Sequence, residues 1–256
     1  MKLKGIFYSS YFYLACLLIL WHVSYSLGWY SDLFFPSLQQ VIEFLIDGFG
    51  KDCSLWGAIW ISFKRLFIGY FISLILGVFL GMLCYSLPVF NLTLKKLALG
   101  FQTLPSICWV PLTLLWFGQT DVAIIFVIVM GSVWGLILGT DQSIQRVPEI
   151  YIKAAYTMGA RKFTLWRTVI FPAAFPSMIV AMKQGWAFAW RSLLSAEIYI
   201  SAVSGLGLGQ LLHYGREMQA MDQVVSIILI LITIGLLIEH YLFLPIEKNI
   251  TKRWGR

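Results

Sequence analysis

Of the 256 residues, 59% are apolar and 12% charged, with mean hydropathy +0.80, whereas soluble domains hold about 45–50% apolar residues. This excludes a soluble domain: spans of about 20 residues with short loops allow about six helices and leave no room for a soluble catalytic unit. Long apolar runs in place of alternating strands exclude a β-barrel. The formal charge of +7 is mainly a topology signal, because thirteen of the nineteen Lys and Arg fall in segments assigned to the cytoplasm.

Lys2 and Lys4 precede an apolar run over 7–27, with Trp21, Trp29 and Tyr30 near its far end. This predicts a first span with the N-terminus inside and an aromatic belt outside. The run is long for the core of a cleaved signal peptide, and no A-x-A site follows it. Residues 31–55 set Asp32, Glu43, Asp47 and Asp52 against the single Lys51 around an amphipathic run, which suits an external segment. A second span is predicted over 56–85. Lys64 and Arg65 near its outer end are expected to snorkel to the interface, and Gly69, Gly77 and Gly81 predict close packing on another helix.

Lys95 and Lys96 mark a cytoplasmic turn before a third span over 97–117, where Pro105 and Pro111 predict a kink or break. Freed backbone groups need water or protein partners, so Gln102, Thr103, Ser106 and Trp109 are candidates for a solute path, with interhelical packing as the alternative. A short external turn at 118–121 leads into a fourth span over 122–140.

The loop that follows, 149–176, reads EIYIKAAYTMGARKFTLWRTVIFPAAFP and carries Glu149, Lys153, Arg161, Lys162 and Arg167 between two apolar segments, so it lies in water beside the membrane. Pro148 and Glu149 suit a helix start and Gly159 a helix stop. Ala154 and Ala155 lie between them, where another protein's surface could approach closely.

A fifth span is predicted over 165–195, bent by Pro172 and Pro176 just above this loop. Gln184, Arg191 and Ser195 share one stripe of it, with Lys183 beside them. Ionisable residues in membrane helices face a cavity or a partner, so Arg191 either serves anion passage, snorkels, or pairs with Glu197. Residues 196–222 read as external, and SGLGLGQ, whose Gly205, Gly207 and Gly209 miss the spacing of a dinucleotide site, reads as a flexible turn. A sixth span over 224–244 ends in a basic tail with Lys248, Lys252, Arg253 and Arg256, placing the C-terminus inside.

No phosphate-cradling G-x4-GK[ST], HExxH or G-x-S-x-G is present, and His22, His213 and His240 are far apart. Cys16, Cys84 and Cys108 lie in apolar spans with Cys53 alone outside, which fits neither a disulfide framework nor a zinc site.

Ala154, Ala155, Gly159, Val169 and Pro172 stand at the spacing of the E-A-A, three residues, G, nine residues, I-x-L-P signature. In this the chain resembles the permease subunits of ABC importers. Lys153 replaces the usual acidic residue and Phe171 the usual leucine. Residues 62–81, the P-x5-P-x5-FG run over 105–118, and Ala196-Glu197 followed by Gly205-Leu206-Gly207 resemble the nitrate, sulfonate and taurine branch.

The resemblance implies an all-α, type I permease of about six spans, one domain over 1–256, with both termini cytoplasmic and a coupling loop over about 146–165. Glu149, Lys153, Ala154, Ala155, Gly159, Ala160 and Arg161 would meet a separate ATPase that binds ATP and Mg. Gln102, Ser106, Trp109, Lys183, Gln184, Arg191, Ser195 and Glu197 would line the path. It implies no cofactor or metal in this chain, no enzyme activity and no nucleic acid. The expected partners are ABC ATPases, a second copy of the permease and an external substrate-binding protein. The expected setting is a bacterial inner membrane, where a small oxyanion or sulfonate-like solute passes by alternating access. The alternatives are a membrane-embedded enzyme or assembly factor using 149–176 to hold another soluble partner, and a secondary transporter, which should show inverted repeats and more midplane carboxylates.

Overall fold

The computed structural model describes residues 12, 16, 19–28, 34–50 and 52–254. Most of the predicted first span, with Lys2, Lys4, Trp29 and Tyr30, lies outside the described residues, as do Lys51, Arg256 and the side chains of Lys252 and Arg253. Among the described residues every regular element is helical.

Helix α1 (Leu38–Gly50) opens on a capping box: the Gln40 amide N–H donates to Ser37 Oγ at 3.2 Å, and the Ser37 N–H donates to Gln40 Oε1 at 2.8 Å. Helix α2 (Ser54–Ser86) is 33 residues long, about 50 Å at the helical rise, enough to cross a bilayer and stand out of it. α3 (Pro88–Gln102), a 3₁₀ turn (Ser106–Trp109) and α4 (Val110–Phe117) follow. Then come α5 (Asp121–Gln145) and the short α6 (Glu149–Thr157). α7 (Lys162–Leu165), a π-helical turn (Trp166–Ile170) and α8 (Phe171–Tyr199) run on as one span over Phe163–Tyr199. α9 (Leu208–Glu217) lies in the next connection. α10 (Met221–Ile238), a second π turn (Glu239–Phe243) and α11 (Leu244–Trp254) complete the chain.

α5 is the central strut, packed along α2 on one side and α8 on the other. Small residues set the distance. A Cβ on Gly69 would lie 2.7 Å from Ile128 and one on Gly81 2.6 Å from Thr140, as the glycine pattern predicts. Toward α8, a Cβ on Gly185 would lie 2.6 Å from Leu136. Buried Ser132 donates to Ser73 across the α2–α5 seam at 2.8 Å.

Among the described residues four helices are long and apolar enough to span, and α3 with the 3₁₀–α4 segment forms a fifth, bent pair at 103°. The expected third span over 97–117 is therefore corrected. The helix starts at Pro88, which is pre-set for a first turn, so Lys95 and Lys96 sit inside α3 rather than in a turn before it. Only one of the two prolines breaks it: Leu104, preceding Pro105, is driven from helical backbone, whereas Pro111 sits harmlessly in the first turn of α4. Before Pro172 the ladder widens, with the Phe171 N–H bonding Trp166 O in the π turn.

The connection over 196–222 also departs from expectation. α8 continues to Tyr199 and α9 is a ten-residue helix, so the glycine-rich stretch is a packed junction rather than a flexible turn.

Candidate functional site

At one end of α5, helix α6 lies across a buried cluster formed by Ile144, Val147, Ala155, Leu165, Ile170, Ala174 and Met178. Its stop is a full Schellman motif: the Ala160 N–H bonds Ala155 O at 2.9 Å and the Gly159 N–H bonds Tyr156 O at 3.1 Å. Gly159 has φ +86°, the left-handed conformation this cap needs. The two alanines part company. Ala155 is 6% exposed and anchors the helix to its own chain, while Ala154 faces out, which corrects the expectation that both meet a partner.

Around Ala154 the outer face presents Ile150, Tyr151, Tyr156, Met158 and Phe163, all exposed. Glu149 and Lys153 pair along the helix at 2.9 Å; this hydrogen bond, with the ammonium charge, holds the Glu149 carboxyl below its usual range. Arg161 is exposed and Ala160 half-buried.

The predicted path residues fall into two groups that meet at glycines of α5. A Cβ on Gly135 would touch Phe188 of α8 at 3.3 Å and the Gln102 amide at 3.9 Å, and one on Gly131 would approach Ser106 at 3.2 Å. The break after α3 therefore rests against the part of α8 that bears Arg191. Trp109 is packed beside Phe101, its indole N–H buried without a partner among the described residues.

On α8, Gln184 and Arg191 are exposed. Arg191 Nε donates to Ala187 O at 3.1 Å and its guanidinium lies over the Phe188 ring at 5.1 Å. Ser195 Oγ donates back to Arg191 O at 3.0 Å. Lys183 is bound to Glu239, with Glu247 at 3.9 Å, so its charge is neutralised.

Glu197 does not pair with Arg191. It is fully buried and receives Arg65 Nη1 at 2.7 Å. Arg65, expected to snorkel, is itself 2% exposed; its Nε reaches Asp121 at 2.8 Å, and Nη2 reaches Ser204 Oγ at 2.9 Å and Gly205 O at 3.0 Å. α2, the start of α5 and the end of α8 thus meet in one ionic junction. Snorkelling requires a path to water, and Arg65 faces α5 and α8 instead; Lys64 beside it is exposed. A second buried pair missed in the sequence joins Lys95 to Asp141 at 2.7 Å. The available signal was the charge itself, since an arginine or aspartate within an apolar span needs a partner.

The fold and these two ends define a class: a multi-pass helical membrane protein with a short helical loop packed under its core. Residues 57–243 match the family described as "Binding-protein-dependent transport system inner membrane component", and the chain belongs to it. A protein of Methanocaldococcus jannaschii named as an ABC transporter permease is 30% identical over 214 residues, 82% of this chain and 79% of that one. The taurine transport system permease protein TauC of Escherichia coli is 27% identical, covering 88% and 82%. The nitrate import permease protein NrtB of Synechocystis is 25% identical, covering 90% and 84%. A structure of the MetNI methionine ABC transporter in inward facing conformations shares the fold, with a TM-score of 0.64 and 19% identity over 77% of this chain and 96% of that one. The chain is accordingly an importer permease subunit of the nitrate, sulfonate and taurine type, a transport component rather than an enzyme.

Proposed function

We propose that this chain forms half of the translocation unit of an importer for a small oxyanion or sulfonate-like solute in a bacterial inner membrane, with both termini cytoplasmic. A second copy of the chain supplies the other half. Two ABC ATPases hold ATP and Mg, and an external binding protein delivers the solute. ATP closes the ATPase pair, the coupling loops are drawn together, and the gate between the two permeases opens outward.

The observation that carries this reading is the construction of α6. It is fixed from beneath by buried Ala155 and by the Gly159 cap, yet its other face exposes Ala154, Ile150, Tyr151 and Met158 to a partner. Glu149, Lys153, Ala160 and Arg161 border that face. Gln102, Ser106, Trp109, Gln184, Arg191 and Ser195 line the path, with Lys183 at its inner side. The similarity to permeases named for taurine and nitrate supports an oxyacid solute.

The test is copurification followed by transport. The tagged chain, expressed with its neighbouring genes, should bring down an ABC ATPase in equal amount, and the reconstituted complex should take up a sulfonate or nitrate only with ATP and the binding protein. A chain purified without any ATPase, or uptake independent of ATP, overturns the assignment.

A further inference from the structure

The ionic junction of Arg65, Asp121 and Glu197 lies at the opposite end of α8 from the coupling loop, and the importer reading gives it no role. Its geometry is a helix cap made by other helices. The first N–H groups of a helix have no partner within it. In α9, the Leu208 N–H is taken by Ser62 Oγ of α2 at 2.8 Å and the Gly209 N–H by Glu197 Oε2 of α8 at 3.0 Å. Ser62 Oγ also donates to Glu197 at 2.8 Å, and the buried carboxylate meets the positive end of α9.

The glycines follow from this arrangement. A Cβ on Gly209 would lie 2.6 Å from that of Glu197, and one on Gly207 would run into the carboxylate. α9 is therefore fastened to α8 by its own backbone, while Tyr214 and Met218 remain exposed. Arg65 ties in the rest, reaching α5 through Asp121 and the 201–206 connection through Ser204 and Gly205. α8 itself belongs to the continuous span Phe163–Tyr199 that begins beside α6.

We propose that Arg65 and the capped start of α9 are positioning elements that make α9 move as one body with α8, so that the external face built on α9 and the coupling loop report on each other. This rests on the importer reading. A junction of this kind can be loosened without dismantling the core, because α2, α5 and α8 are held independently by their glycine contacts and by the buried apolar cluster that includes Leu66, Ile124, Ile128 and Leu193.

The experiment uses the complete importer, permease with ATPase and binding protein, in proteoliposomes. Arg65→Lys keeps the charge but cannot bridge Asp121, Glu197 and Ser204 together as the planar fork does. Gly209→Ala keeps every charge and pushes α9 off Glu197. In both, the complex should assemble with basal ATP hydrolysis within about twofold of the parent, while stimulation by loaded binding protein falls about tenfold, the size of an ordinary coupling between two sites. Unchanged stimulation in both variants overturns the proposal. So does loss of basal and stimulated hydrolysis in equal proportion, the result a purely structural junction gives. If Arg65→Lys does not assemble, Ser62→Ala, which removes a single hydroxyl, decides the matter by the same ratio. A parent complex that no binding protein stimulates overturns the importer reading itself, and is recognised by appearing before any substitution is made.

Discussion

The Lys95–Asp141 pair is the clearest place to weigh a buried charge in this protein. Asp141 has a fully buried side chain that accepts Lys95 Nζ at 2.7 Å and the Gln145 amide at 2.8 Å, both on Oδ2, while Oδ1 is buried with no partner among the described residues. Lys95→Met keeps most of the stem and removes the ammonium, which leaves a carboxylate with one hydrogen bond in an apolar setting. Removing one member of a buried pair costs about 3–5 kcal/mol. Because Lys95 is 28% exposed and water already shares its charge, the lower end, about 3 kcal/mol, is expected. Adding Asp141→Asn removes the orphaned charge, and the double variant should return to within about 1 kcal/mol of the parent. Denaturant unfolding in detergent micelles, followed by tryptophan fluorescence, measures this; Trp134 stacks on Phe101 across the same α3–α5 contact at 4.7 Å. A single variant within about 1 kcal/mol of the parent, or a double no better than the single, refutes the reasoning.

The two alanines of α6 should separate docking from folding. Ala154→Glu is expected to reduce ATPase copurification with the permease's melting temperature unchanged, whereas Ala155→Glu, which buries a carboxylate among Ile144, Leu165 and Met178, should lower the melting temperature itself; the reverse pattern would show α6 docking by its other face. Gln219 closes a second Schellman motif in left-handed backbone, φ 57°, with the Ala220 N–H on Gly215 O at 2.8 Å. Gln219→Gly should therefore stabilise the fold by about 1 kcal/mol, read from the unfolding midpoint. Arg191→Gln should lower uptake of an anionic solute about tenfold with ATPase assembly intact, and Arg191→Lys should keep part of it, since a passing hydrated ion senses charge more than fork geometry; equal uptake in parent and both variants removes the residue from the path.

What could be read from the sequence was whatever local chemistry alone decides. Gly159 specifies a left-handed cap wherever the chain runs, and Gly69, Gly77 and Gly81 specify a close approach whichever helix supplies the partner. What could not be read was pairing across long separations. Arg65 and Glu197 stand 132 positions apart, and nothing in either neighbourhood names the other, so the nearer Arg191 was the natural partner for Glu197. The same holds for α9: its residues are weakly apolar, and although Gln210 takes the Gly207 N–H, the N–H groups of Leu208 and Gly209 are capped from α2 and α8. The start of α3 was legible in principle, since Pro88 is a start signal, but the paired lysines read more strongly as a loop because the aspartate that neutralises one of them lies on another helix.

The pairing pattern bears on where the path runs. Arg65 is met by Asp121 and Glu197, Lys95 by Asp141, and Lys183 by Glu239; along α8, Arg191 makes no ion pair among the described residues. Snorkelling would have to turn its side chain toward the outer end of the helix. The structure turns it the other way, with Nε on the carbonyl of Ala187, one turn closer to α6, and the guanidinium over the Phe188 ring at 5.1 Å. Arg191 is exposed on the surface of the chain, and within a membrane span an unpaired cation facing lipid is costly. Water on that face rather than acyl chains, as the proposed path supplies, removes that cost. The break at 103–105 stands across Gly131 and Gly135 from the same turn of α8, and backbone freed from a helix needs the same water. Two independent requirements for hydration thus converge on one face of the chain, which supports the path proposed between two copies.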